Sequence, residues 1–237
     1  MTVPARQSIL ASIRSGTAEV AKGAPWLAEA YQALPRTYIR QGQLSPQARL
    51  ALMVERLREY DAEVVESSPE ELPAAIAAQL ASSGRRIFVA PADLPAAWLA
   101  PSVEWILDGS LSAAQIEKAE GVVTAATCGI ADSGTIVLHH GPAEGRRVIT
   151  LLPDWHLCIL RASQIVETLP EYFDTIAEPP ALATYISGPS ATADIEMTRI
   201  KGVHGPRFLH VILVLDQTSS VNHHVSEPDL AGSPKGR

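Results

Sequence analysis

The chain has 237 residues, with 26 acidic against 19 basic side chains and a formal charge of −7. This length predicts one to two domains, and a 46% hydrophobic content supplies one substantial core. The acidic balance removes the electrostatic footprint that duplex DNA or an anionic membrane requires, though not a local basic site for a small anion.

Residues 5–15 place Ile9, Leu10 and Ile13 at helical spacing, with Gly16 as the expected stop. The stretch 17–44 carries Pro25, Pro35 and Gly42 and predicts an irregular arm anchored by Trp26, Tyr31 and Tyr38. Ser45-Pro46 is a clean helix start, predicting a helix to about Tyr60 that buries Leu50, Met53, Val54 and Leu57. A short strand follows at 63–66. Ser68-Pro69-Glu70-Glu71 reads as a capping box opening a helix that ends at Gly84.

The apolar run 87–90 predicts a buried strand, followed by a turn of helix near 93–99 and a strand at 104–108. A helix over 112–120 and a strand over 121–125 complete a fourth unit. Strands alternating with helices predict an α/β domain with a mostly parallel sheet covered on both faces. After Gly134 the rhythm changes. Runs at 135–140, 147–152 and 156–160 predict strands in an antiparallel or mixed extension, because no helix fits between them. A helix over 163–176, interrupted at Leu169-Pro170, a strand at 184–187, a turn of helix near 192–200 and a strand at 209–215 close the fold. The expected organisation is an N-terminal helix and arm at 1–44, the α/β domain at 45–217, and a polar, flexible tail at 218–237.

Cys128 and Cys158 are the two cysteines, 30 positions apart. No CxxC pair exists, so this chain alone builds neither a zinc ribbon nor a four-cysteine iron–sulfur cluster, and buried free thiols are the favoured reading over one disulfide. No run approaches the roughly 18 apolar residues of a membrane span, and none near the N-terminus has signal-peptide character. The expectation is a soluble, cytoplasmic chain without a bound metal. A metal site from His139 or His140, His156 and Cys128 can be drawn, but no ligand spacing enforces it. Glu144 can serve as a nucleophilic carboxylate or simply as a solvated turn residue beside Arg146 and Arg147.

Three loops carry the residue types that bind or process small anions. In 129–135, Ser133, Gly134 and Thr135 offer hydroxyls and turn amides, or an ordinary tight turn between strands. In open α/β sheets such loops gather ligands beyond the strand carboxyl ends. In 187–196, Ser190 and Thr192 precede Asp194 and Glu196, reading either as an anion-binding helix start or as a simple cap with first-turn acids. In 201–207, two glycines and Pro206 bracket His204 between Lys201 and Arg207. That places an imidazole able to titrate near neutral pH beside two cations, although a solvated turn fits the same pattern.

The stretches 129–138 (GIADSGTIVL) and 186–213 (ISGPSATADIEMTRIKGVHGPRFLHVIL) strongly resemble the lactate-utilisation protein C (LutC) family, the LUD domain. The resemblance covers roughly residues 45–215. It implies a three-layer fold like that of glucosamine-phosphate deaminase, ribose-phosphate isomerase and CoA-transferase. It also implies one component of a three-part system oxidising L-lactate to pyruvate, whose partner subunits carry iron–sulfur clusters. Through the resemblance, Ser133, Gly134, Thr135, Ser190, Thr192, Asp194, Glu196, Lys201 and Arg207 become candidate ligand contacts, with His204 the candidate catalytic residue. Two other readings stay open: a stand-alone enzyme on a phosphosugar, folate or acyl-CoA, and a non-catalytic interaction module.

Overall fold

The computed structural model describes residues 5–21, 25–193, 199–201 and 204–216. It divides into two units, residues 1–39 and residues 40–237. In the first unit, α1 (Ala5–Ala21) runs past Gly16, and α2 (Pro25–Gln32) occupies part of the stretch expected to be irregular. A single interior glycine costs a helix only about 1 kcal/mol, and the good helix formers Ala18, Glu19 and Ala21 follow it. Pro25 opens α2, where its fixed φ and missing N–H fit the first turn. Arg36 closes α2 by donating to the carbonyls of Tyr31 (3.1 Å) and Leu34 (3.2 Å) while stacking on the Tyr31 ring.

The second unit starts with α3 (Pro46–Glu59), capped as the sequence predicts: the Ala48 N–H donates to Ser45 Oγ at 3.2 Å. Ser45→Ala is expected to lower stability by about 1 kcal/mol in urea denaturation, with m unchanged. The remaining elements alternate: β1 (Glu63–Ser67), α4 (Leu72–Ser82), β2 (Ile87–Pro91), β3 (Glu104–Asp108), α5 (Ala113–Ile116) and β4 (Gly121–Ala125). Next come β5 (Cys128–Ile130), β6 (Thr135–Leu138), β7 (Trp155–Arg161), β8 (Ile165–Val166), α6 (Leu169–Asp174) and β9 (Thr184–Ile186). The last three are β10 (Ala191–Ala193), β11 (Arg199–Lys201) and β12 (Phe208–Val214).

Six strands form a fully parallel sheet in the order β1-β12-β7-β4-β2-β3. A second, mixed sheet has the order β8-β5-β6-β9, and β10 pairs antiparallel with β11. The alternation of side chains along β7 shows why both faces are covered. Trp155, Leu157 and Ile159 pack with Ile76 and Leu80 of α4, while Cys158 and Leu160 pack with Met53 and Leu57 of α3. His156 shares the face of Cys158 and therefore points to the α3 side. Among the described residues no helix is long and apolar enough to cross a membrane.

Several expected elements differ. The run 156–160 is β7, in the middle of the parallel sheet between β12 and β4, not in an antiparallel extension. The Ser68–Glu71 box closes a turn ahead of α4, which starts at Leu72. The run 147–152 is not a strand; Arg147–Thr150 forms a 3-10 turn. Its β-branched residues suit a strand, but Arg146 is fixed on Asp108 and Gly145 takes a positive φ of 69°, which bends the chain there. The helix expected over 163–176 splits into a 3-10 turn (Ala162–Gln164), β8 and α6. Thr168 caps α6 and Pro170 lies in its first turn, so the proline starts this helix instead of interrupting it. The helix expected over 112–120 stops at Ile116. Near 192–200 the described residues are the strands β10 and β11, not helix. The expected tail at 218–237 lies outside the described residues.

Candidate functional site

The strand β9 ends at Ile186, and its pairing with β6 brings Ser187 beside Thr135. The Thr135 hydroxyl bonds both Ser187 Oγ and Ser133 Oγ, each at 2.8 Å, making a chain of three hydroxyls. Gly188 then turns the chain with φ 89°, packed so closely on Tyr60 that a Cβ would lie 2.5 Å from the tyrosine Cβ. No other residue fits that turn. Beyond it, the Ser190 N–H donates to the Pro206 carbonyl (2.8 Å), and the His204 N–H donates to Ser190 Oγ (3.1 Å). Hydrogen bonds thus tie all three predicted loops into one structure.

The second and third of these loops, with the turn at 147–151, line a pocket of about 290 Å³; Ser133, Gly134 and Thr135 do not line it, and Thr135 braces the pocket residue Ser187 instead. Its lining includes Thr184, Ser187, Ser190, His204, Arg147 and Leu151. His156 and Leu209, the second residues of β7 and β12, also line it. The pocket therefore lies at the amino ends of these central strands, not beyond their carboxyl ends as the open-sheet rule suggested.

Several predicted residues sit elsewhere than in a free binding position. Arg207 grips Asp154 with two hydrogen bonds, 2.6 and 2.9 Å, and holds that carboxyl below its usual range. Arg85 approaches the same carboxylate at 3.5 Å. Gly134 takes φ 59° in the β5–β6 turn, where a Cβ would meet Arg56, so its role there is steric. Thr192 and Lys201 belong to the β10–β11 ribbon. Asp194 and Glu196 lie outside the described residues. His204 is exposed on the pocket rim.

The other described histidines are committed to the structure. The Nε2 atom of His139 meets the Tyr172 hydroxyl at 2.8 Å, while His140 bonds the Gly145 carbonyl (2.9 Å) and the Thr184 hydroxyl (2.7 Å). His156 is 1% exposed, bonded through Nε2 to the Thr124 hydroxyl at 2.8 Å, and burial pushes its pKa down to about 4. Its ring is neutral at physiological pH. Cys128 and Cys158 are buried free thiols, pushed up to about 11 and about 12 by desolvation, which rules them out as ready nucleophiles. Among the described residues no three His, Cys, Asp or Glu side chains gather as a metal site.

Glu144 departs most from expectation. It is 4% exposed and accepts from the Thr127 hydroxyl (2.5 Å) and from the N–H groups of His139 (2.7 Å) and Gly141 (3.2 Å). It is neither solvated nor open to a ligand. Sequence reasoning did not place Arg147, Thr184, Ser187 or His156 among the ligand contacts. Their signal is long-range, through the pairing of β6 with β9 and the offset of β7.

Fold and pocket together define an α/β protein with a hydroxyl-rich hollow at the amino ends of its central strands. The LUD domain family matches residues 50–214. "Lactate utilization protein C" of Deinococcus radiodurans is 42% identical over 164 residues, covering 68% of this chain and 76% of that protein. The protein of the same name in Bacillus subtilis is 37% identical over 125 residues, 49% of this chain and 52% of its own length. The chain thus spans about half the length of the Bacillus relative. A crystal structure of a DUF162 family protein from Deinococcus radiodurans superposes with a TM-score of 0.61 at 35% identity, covering 73% of this chain and 99% of that one. The chain belongs to the LUD domain family, within its lactate utilization protein C group.

Proposed function

We propose that the chain is a component of an L-lactate utilisation system that binds a small carboxylate in the pocket between 184–190 and 204–209. The observation that carries this reading is a hollow of about 290 Å³, a size suited to a small ligand, lined by two hydrogen-bonded loops, 187–190 and 204–206, the first of them braced by Thr135. The names of its relatives supply the substrate, and the group fits the hollow: donors and hydroxyls for a carboxylate, apolar Ile186 and Leu209 for a short carbon chain. Oxidation of a 2-hydroxy acid to a 2-oxo acid releases two electrons, and this chain has two buried, protonated thiols and no cysteine cluster to receive them. The electrons pass in this reading to iron–sulfur subunits, with no cofactor held by this chain.

In this reading His204 is the exposed imidazole nearest the entering ligand, while Arg207 braces the loop on Asp154. Purified chain, with and without its partner subunits, is assayed with L-lactate and an electron acceptor. His204→Ala is expected to abolish lactate-dependent reduction by the assembled system, with Tm within a few degrees of wild type. A destabilised but fully active variant would make His204 a brace and overturn its role. Turnover by the chain alone would instead favour the stand-alone enzyme.

A further inference from the structure

We propose that Arg147 is the anion anchor of this pocket, aimed into it by the loop 139–146. The inference rests on the reading of the pocket as a carboxylate site. Four other arginines of the second unit are visibly occupied: Arg56 on Glu59, Arg146 on Asp108, Arg161 on Asp216 and Arg207 on Asp154. Arg147 is exposed and its guanidinium has no partner among the described residues. It lines both the pocket and the adjoining hollow floored by Leu152 and Pro153, so it stands where the two meet.

The backbone on either side of that arginine is fixed to an unusual degree. His140 and Ala143 take positive φ values of 58° and 59°, conformations L side chains rarely adopt, and Gly145 takes 69°. A Cβ on Gly145 would lie 2.6 Å from Ile149 Cδ1. Such geometry persists only where surrounding contacts over-determine it. Here those contacts are the Glu144 carboxylate with its three donors, and the His140 ring spanning Gly145 and Thr184. Arg146 is then locked on Asp108 by two bonds, and the Thr150 hydroxyl donates to the Arg147 carbonyl at 2.9 Å. A rigid frame holds the main chain while one cationic side chain at the pocket lining has no partner among the described residues. A planar guanidinium takes a carboxylate through two parallel hydrogen bonds, which fixes the ligand's orientation as well as its charge. Ser187 and Ser190 line the same pocket and offer hydroxyls for the ligand's remaining oxygen.

The test is a chemical-shift titration of the full chain with sodium L-lactate and with sodium acetate at fixed ionic strength. Wild type is compared with Arg147→Gln, Arg147→Lys and Arg161→Gln, the last removing the same charge from a remote pair. Arg147→Gln is expected to raise Kd at least about tenfold for both ligands, the loss of hydrogen bonds to a charged group. Arg147→Lys should fall between, and Arg161→Gln should match wild type. Equal Kd for wild type and Arg147→Gln overturns the anchor and leaves the pocket reading standing. So does a loss for lactate without one for acetate, because the carboxylate then sits elsewhere. Absence of binding by wild type removes the site reading and the anchor with it.

Discussion

Glu144→Ala is expected to destabilise the protein by about 3–5 kcal/mol, among the largest effects of any single substitution outside the apolar core. The carboxylate is 4% exposed, and its removal strands the Thr127 hydroxyl and the N–H groups of His139 and Gly141. A buried donor left unpaired costs about 1–3 kcal/mol, and water entering the vacated space recovers part of the total. The loop also loses what holds its two non-glycine residues at positive φ. Glu144→Gln keeps one carbonyl acceptor but turns an amide toward donors, so its expected cost is smaller, about 1–3 kcal/mol. Urea denaturation followed by circular dichroism reads both values. A cost below about 0.5 kcal/mol for the alanine variant would falsify the network as a stabilising unit.

The parallel sheet was legible because its information is local. Ser45-Pro46 caps a helix wherever it stands, and 87–90 is too apolar to lie anywhere but in a core. Where the reading failed, distant partners decided. The run 147–152 has strand-like residues, yet Asp108, 38 positions before Arg146, takes that arginine and Gly145 bends the chain into a 3-10 turn. Ile165-Val166 joins a sheet because Gly129 and Ile130 offer a ladder, a partner no helical periodicity reveals.

The same division governs the pocket. Two of its loops, 187–190 and 204–206, were legible as glycine- and hydroxyl-rich segments, whereas 129–135 only braces them and the turn at 147–151 was not foreseen there. The charges were not legible. Sequence neighbours made Arg207 look free and Arg146 and Arg147 look alike, whereas Asp154 takes Arg207, Asp108 takes Arg146, and Arg147 has no carboxylate among the described residues. Glu144 looked solvated because its neighbours are arginines, but its own partners lie just after β6 and just before β5. Counting cations in a motif therefore says little until their carboxylates have been assigned in space.

Acid is expected to remove stability through His156 in a window well above that of the carboxylates. Its folded pKa is pushed down to about 4 by burial, whereas an unfolded histidine titrates near 6.5. The unfolded chain thus binds the proton first. Stability from keeping this ring neutral is fully present above about pH 6.5, falls as pH drops, and is exhausted near pH 4. The integrated loss is about 3 kcal/mol. Asp108 and Asp154, both held below the usual carboxylate range by arginine, lose their contribution only below about pH 4, so the two windows separate. His210 is also lowered by burial and acts in the same sense as His156, so a raw pH profile mixes the two. The His156→Gln variant isolates one of them, because glutamine keeps a polar partner for Thr124 but does not titrate. Urea midpoints measured from pH 7.5 to 4.5 are expected to fall less steeply for the variant than for wild type. The gap in stability between the two proteins should narrow steadily as the pH is lowered. Parallel profiles across that range would show that His156 takes up its proton in the folded state as readily as in the unfolded one, and that the pocket wall at the start of β7 is wet.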